Sequence, residues 1–224
     1  MKKVISSRTR TPKGSTTSNL LSYILTLILG LVLSGSGCNT DSVIVPDPIN
    51  GTGVTINDIT WATCNVEAKG TFAKQLHHYG AFYQWNRATP WLTSGAESGW
   101  DNLTPAGSAW SADNDPCPNG WRLPTKAELQ SLIALSVIKE WEEKSGIKGL
   151  TIKQGANELF LPIVGYLNGD NGTLYGRPAY GGYWSSTQDS GTKAWLLDLY
   201  YSTKSAMVGA DFKNIGASVR CVKK

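Results

Sequence analysis

Apolar residues in this chain fall into short clusters broken by glycine, proline, asparagine and aspartate, with one longer exception near the start. The exception is the uncharged run Leu20–Leu33, 14 residues long, against roughly 20 needed to span a bilayer. Further on, Leu196, Asp198 and Tyr200 alternate with Trp195, Leu197 and Leu199. That period of two predicts a half-buried strand over Ala194–Tyr200. Similar short runs predict strands at Val54–Thr60, Leu159–Val164, Tyr183–Ser186, Ala206–Gly209 and Ser218–Val222. Asn168-Gly169-Asp170-Asn171-Gly172 predicts a turn.

Helical spacing is rarer. Thr125-Lys126-Ala127-Glu128 has the capping-box pattern, in which Thr125 accepts from the third amide and Glu128 reaches back. Pro124 disfavours helix at Leu123. Ala127, Leu129, Leu132, Ile133 and Leu135 follow; the pattern breaks near Ser136 and resumes through Ile138, Trp141 and Lys144 to Gly146. A shorter helix is predicted at Ala81–Arg87. Two helices early and several strands late predict an α+β domain with long ordered loops. No internal repeat and no heptad pattern is visible, so residues 54–224 read as one domain.

Residues 1–19 carry Lys2, Lys3, Arg8, Arg10 and Lys13 and no acid. With the short apolar run and Ser34-Gly35-Ser36-Gly37 before Cys38, residues 1–37 read as a secretory leader. The end of that leader resembles a bacterial lipobox, with Gly35 where leucine is usual, which implies lipidation at Cys38. Ordinary cleavage near Gly37 and an uncleaved anchor remain the alternatives. Residues 38–53, with two prolines and a glycine-rich end, read as a tether that reaches roughly 45 Å when extended; a strand at Val43–Val45 is the competing reading. Removing the leader leaves 16 basic against 17 acidic residues, a net charge of −1. The basic balance of the whole chain therefore belongs to the leader, and nothing points to nucleic acid.

Three segments in order are distinctive: Cys117-Pro118-Asn119-Gly120-Trp121-Arg122-Leu123-Pro124-Thr125, Gly182-Tyr183-Trp184-Ser185-Ser186-Thr187 and Ser218-Val219-Arg220-Cys221-Val222. With Trp61-Ala62-Thr63-Cys64-Asn65-Val66, Tyr79-Gly80-Ala81-Phe82-Tyr83-Gln84-Trp85 and Leu161-Pro162-Ile163-Val164-Gly165-Tyr166, the pattern resembles the Fibrobacter succinogenes major paralogous domain. That domain occurs in secreted and surface proteins of Bacteroidetes-type bacteria. It is similar to the C-type-lectin-like superfamily, which includes the formylglycine-generating sulfatase-modifying enzymes. The resemblance implies a C-type-lectin-like domain with two helices, short antiparallel strands, paired first and last strands and a long variable loop region. Fold-level likeness is a weak guide to activity.

With Cys38 assigned to lipid, Cys64, Cys117 and Cys221 remain in an oxidising compartment. Cys117–Cys221 is the preferred bridge, Cys64–Cys221 its rival, and three free thiols the third option. Formylglycine-generating enzymes need two late copper-binding cysteines; only Cys221 lies late here, so no enzyme is expected and no catalytic residue or cofactor is assigned. His77 and His78 are adjacent, which splays them about 100° apart on a helix, and no cysteine pair accompanies them as a zinc site would require. Asp113-Asn114-Asp115 and Asn168–Asn171 offer oxygen ligands that suit calcium, yet turn formation accounts for both clusters.

Trp91, Trp100 and Trp110, in the loop-like stretch 88–116, are the candidate ligand-binding residues, because exposed indoles stack on sugars and anchor protein interfaces. Packing inside the loops is the competing reading. The expectation is an outer-membrane, surface-exposed lipoprotein that binds a glycan or protein. Such a module should present an aromatic or polar patch within 88–116 or 166–192. An accessory subunit of a fimbria is the alternative, with an enzyme related to the sulfatase-modifying group as the remote third.

Overall fold

Asn57 and Asp58 both adopt positive φ, 48° and 64°, and fold the first predicted strand back on itself as a hairpin, β1 (Val54–Ile56) and β2 (Ile59–Trp61). Consecutive left-handed residues suit the two-residue turn that joins twisted strands, and asparagine and aspartate tolerate that backbone. The computed structural model describes residues 53–92 and 98–224. The leader, Cys38 and all of the tether except Gly53 lie outside the described residues.

The described strands form five sheets. One joins β1 and β2 to β6 (Trp121–Arg122) and β16 (Val222–Lys223), so the last described strand lies between β2 and β6, with Val222 opposite Trp61, and β1 is one strand removed from it. The largest has the order β14 (Ser205–Phe212), β13 (Lys193–Tyr200), β12 (Tyr180–Gln188), β15 (Ala217–Ser218), β5 (Phe82–Tyr83). The third is a meander of β7 (Ile138–Lys144), β8 (Ile147–Gln154) and β9 (Asn157–Pro162). Two small hairpins complete the set, β3 (Val66–Ala68) with β4 (Thr71–Phe72), and β10 (Tyr166–Leu167) with β11 (Leu174–Tyr175).

The molecule is therefore mostly β, and the two-helix α+β, C-type-lectin-like expectation is overturned. A single α-helix, α1 (Lys126–Leu132), stands among the described residues, beside one 3-10 turn at Ala112–Asn114. Its capping box forms as the spacing predicts: Thr125 Oγ1 accepts from the Glu128 amide and Glu128 accepts from the Thr125 amide at 2.7 Å. Arg122 adds a two-pronged bond to the same carboxylate, at 2.6 and 2.8 Å.

The second half of the expected long helix is instead β7. Its lysines and glutamates favour helix locally, but a full register with β8, Ile138↔Lys153 through Lys144↔Ile147, gives every residue a cross-strand partner across a Ser145-Gly146 turn. Glu140 pairs with Lys153 at 2.5 Å across the ladder, and Trp141 packs edge-on to Tyr201 at 6.1 Å. The expected helix Ala81–Arg87 also fails. Phe82 and Tyr83 are buried and pair with Ser218 and Ala217. Phe82 also exchanges both backbone hydrogen bonds with Trp91 at 3.0 Å. Long-range partners outweigh local spacing in both places.

Two apolar clusters make the core. One gathers Leu129, Leu132, Leu150, Ile152, Leu159, Leu161, Leu197 and Leu199 between the meander, the helix and one face of the large sheet. The other is aromatic: Trp85, Trp110, Trp121 and Trp184 surround Cys221 and Leu196.

The distinctive segments are its braces. Cys117 and Cys221 form a disulfide with their Cα atoms 6.0 Å apart, and Cys64 is a buried free thiol. Trp184 Nε1 donates to Tyr83 O at 2.8 Å, Trp85 Nε1 to Ser185 O at 3.0 Å, and the Ser186 amide to Pro124 O at 2.7 Å. Arg220, 1% exposed, donates to the backbone carbonyls of Ala62 and Thr63 and to the side-chain oxygen Asn65 Oδ1. A buried cation without a carboxylate is costly, and burial pushes the Arg220 pKa down. Carbonyl and amide oxygens offset part of that cost by locking the 62–65 segment to the last strand.

Candidate ligand-binding face

Ala194, Leu196, Asp198 and Tyr200 share one face of β13 by the period of two. Ladder partners place Tyr180, Gly182 and Trp184 on that face from one side, and Ser205, Met207, Gly209 and Asp211 from the other. The Trp184–Leu196 end is covered by the aromatic core. The other end is open. Tyr175, Tyr180 and Met207 are 43%, 40% and 50% exposed there.

Tyr166, from β10, lies beneath this opening. It is buried and donates its hydroxyl hydrogen to Asp198 Oδ1. Tyr175 stacks on Tyr166 with ring centroids 5.7 Å apart and planes at 27°, and Tyr180 tilts against Tyr200 at 6.2 Å. Gly209 matters to this geometry because a Cβ at that position would stand 2.8 Å from Asp198 Oδ2. The bare backbone leaves the carboxylate reachable from the open side.

The electrostatics are one-sided. Burial pushes the Asp198 carboxyl up to about 6 against the hydrogen bond from Tyr166, and Asp211 adds to the rise. Burial raises Tyr175 and Tyr200 as well, with Asp198 and Asp211 contributing to each, so these hydroxyls remain donors at neutral pH. Neither carboxylate forms an ion pair among the described residues. The arrangement offers flat rings for stacking, hydroxyl donors and two uncompensated acceptors.

The tryptophans behave differently. Trp110 is 8% exposed, donates to Asn114 O at 2.9 Å and meets Trp85 edge-on at 5.8 Å in the aromatic core. Trp91 and Trp100 are half-buried against the other cluster, 5.1 Å from each other. Trp100 donates to Gly169 O at 2.8 Å. The structure brings Trp91 and Trp100 together and puts Trp110 elsewhere.

A cleft of about 580 Å³ lies between Lys69, Trp110, Asp115, Trp121, Arg122 and Lys224. Three of its four charged groups named here are committed to the scaffold: Lys69 donates to Asp113 O, Arg122 to Glu128, and Asp115 accepts the Cys117 amide. The oxygen-rich turns are similarly engaged. Asn114 donates to Asn86 O, Asn168 Oδ1 accepts the Asp170 amide, and Asn171 Oδ1 accepts the Thr173 amide. Among the described residues no three His, Cys, Asp or Glu side chains converge as a metal site would require. His77 packs edge-on to Phe160 at 5.0 Å, and His78 Nδ1 accepts the Gly80 amide at 3.1 Å.

Sequence reasoning placed Asp198 and Tyr200 in a strand but did not single out Tyr175, Tyr180, Met207 or Asp211. One signal was present. Asp198 interrupts the apolar stripe of Ala194 and Leu196 on an otherwise inward-facing register.

No curated protein and no solved structure matches this chain. A family described as Fibrobacter succinogenes major domain matches residues 38–223. The segments that carry that pattern are the braces of the aromatic core, the disulfide and Arg220, whereas the open tyrosine face lies largely outside them. The chain belongs to the Fibrobacter succinogenes major domain family.

Proposed function

We propose that this protein is a lipid-anchored, outer-membrane surface protein whose domain binds a glycan or protein ligand without transforming it, through the tyrosine–aspartate face. The carrying observation is the pair of exposed rings, Tyr175 and Tyr180, beside Asp198 and Asp211. Aromatic rings that keep one face in water are the side chains best suited to stack on a ligand, and nearby carboxylates that form no ion pair among the described residues supply orientation. In this reading Cys38 carries the lipid and residues 39–53 serve as the tether; several acyl chains on Cys38 hold far more firmly than one.

Two measurements test this. The mature protein should register on a glycan or host-protein array, and Tyr175→Ala with Tyr180→Ala should abolish the signal while circular dichroism stays unchanged. An unaltered signal in that variant moves the binding site elsewhere. Mass spectrometry of the membrane fraction should find acylated Cys38; freely diffusing protein with an unmodified Cys38 removes the anchor.

The second reading is an accessory subunit of a surface assembly. It is favoured by β14, an eight-residue edge strand with acid only at Asp211, in contrast to the charge-studded edge β7. Charged residues on an edge discourage added strands, and an uncharged edge accepts them. Val208→Lys should then abolish co-purification with a fimbrial shaft protein; absence of any such co-purification from the native host ends this reading.

A further inference from the structure

We infer that the open tyrosine–aspartate face takes an amine-bearing saccharide, an unacetylated hexosamine oligomer, with the ligand's ammonium seated between Asp198 and Asp211. The inference rests on the reading of this face as ligand-binding and adds the charge of the ligand.

Apart from the exposed Met207, the side chains named at the opening offer acceptor surfaces or hydroxyls. Tyr166 from β10, Tyr175 from β11, Tyr180 from β12, Asp198 and Tyr200 from β13, and Asp211 from β14 converge there. No arginine or lysine contributes to the environment of Asp198, and Asp211 raises it further. Two carboxylates that repel each other in a half-buried setting are an unfavourable arrangement for the empty protein. A ligand cation removes that repulsion on binding, and ring faces attract ammonium groups besides.

The same charges disfavour sialic and uronic acids, which would bring a third carboxylate. Charge alone would also admit a lysine side chain. The saccharide is favoured because two exposed tyrosines stand beside the acids, so stacking surface and hydroxyl-accepting groups occur together on an open face. Gly209 supports the placement, since a side chain there would shield Asp198.

The test is calorimetric titration of the mature protein with two probes that differ only in the charged group, the glucosamine tetramer and the N-acetylglucosamine tetramer, at about pH 7. The glucosamine tetramer should bind about tenfold more tightly, a difference of about 1.4 kcal/mol, and the preference should shrink as salt rises. Asp211→Asn, a conservative change at a partly exposed strand position, should erase the preference, the glucosamine tetramer losing far more affinity than the acetylated probe. Gly209→Ala should do the same by covering Asp198. Tyr180→Ala should weaken both probes.

Equal affinities, or a preference for the acetylated tetramer that still depends on Tyr180, overturn the ammonium and leave the tyrosine face as a neutral-sugar site. No binding of either probe, with an oligolysine peptide bound in an Asp211-dependent way, overturns the saccharide in favour of a protein partner. If no probe binds and the Tyr175→Ala, Tyr180→Ala variant retains its array signal, both the inference and the site it rests on fall.

Discussion

The loop tryptophans and the sheet tyrosines are the two aromatic groups that could meet a ligand, and the fold uses them in opposite ways. Trp100 and Trp110 each give the indole N–H to a backbone carbonyl, of Gly169 and Asn114. Long segments without regular hydrogen-bond ladders leave carbonyls in need of donors, and a large side chain that fills space while donating once meets both needs. Tyr175 and Tyr180 instead project from paired strands whose backbone is already satisfied, so their rings are free to stay in water. Aromatic residues in an irregular loop are thus scaffold here, and the exposed rings stand on paired strands, Tyr180 on the large sheet and Tyr175 on the β10–β11 hairpin.

The comparison breaks most sharply at Trp110. Trp110→Ala should cost about 3–5 kcal/mol, read as a large drop in denaturant midpoint; a change under about 1 kcal/mol would put this indole with the exposed group. Replacing Cys117 and Cys221 together by serine opens a cross-link spanning 104 residues and should cost about 2–5 kcal/mol, while ligand binding at the distant tyrosine face persists in whatever fraction remains folded. Trp100→Phe, which deletes the bond to Gly169, should cost about 1 kcal/mol. Tyr180→Ala should stay within about 0.5 kcal/mol of the native protein and yet lose ligand.

Asp198 sharpens the contrast from the acid side. Its folded pKa of about 6 lies above the unfolded carboxylate value, so the folded state binds the proton more readily. Stability should therefore rise as pH falls from about 6 towards 4, the reverse of a salt-bridged acid. Asp198→Asn keeps an oxygen for the Tyr166 hydroxyl and removes the buried charge. Its melting temperature should exceed the native value at pH 8 and converge with it below pH 4, whereas an unchanged difference across that range would mean that Asp198 is solvated like any surface acid.

Much of the local structure could be read directly. The Thr125–Glu128 cap, the alternation of β13 and the Asn168–Gly172 turn depend on neighbours within a few residues, and a linear pattern carries them. The segments 81–87 and 138–144 could not be read that way. Helix was expected at both from apolar bulk and spacing, Phe82, Tyr83 and Trp85 in one and Ile138 and Trp141 in the other, yet each found a ladder partner remote in sequence or across a tight turn.

The candidate face was only half visible for the same reason. Asp198 stood out as an acid in an apolar register, but its company of Tyr166, Tyr175, Tyr180 and Asp211 comes from four other strands. Composition and order determined a disulfide-capable, aromatic-rich, turn-rich domain. Which rings pack and which face water was decided by long-range pairing, because burial is a property of the partner surface that a strand meets, and no residue's neighbours in the chain specify that surface.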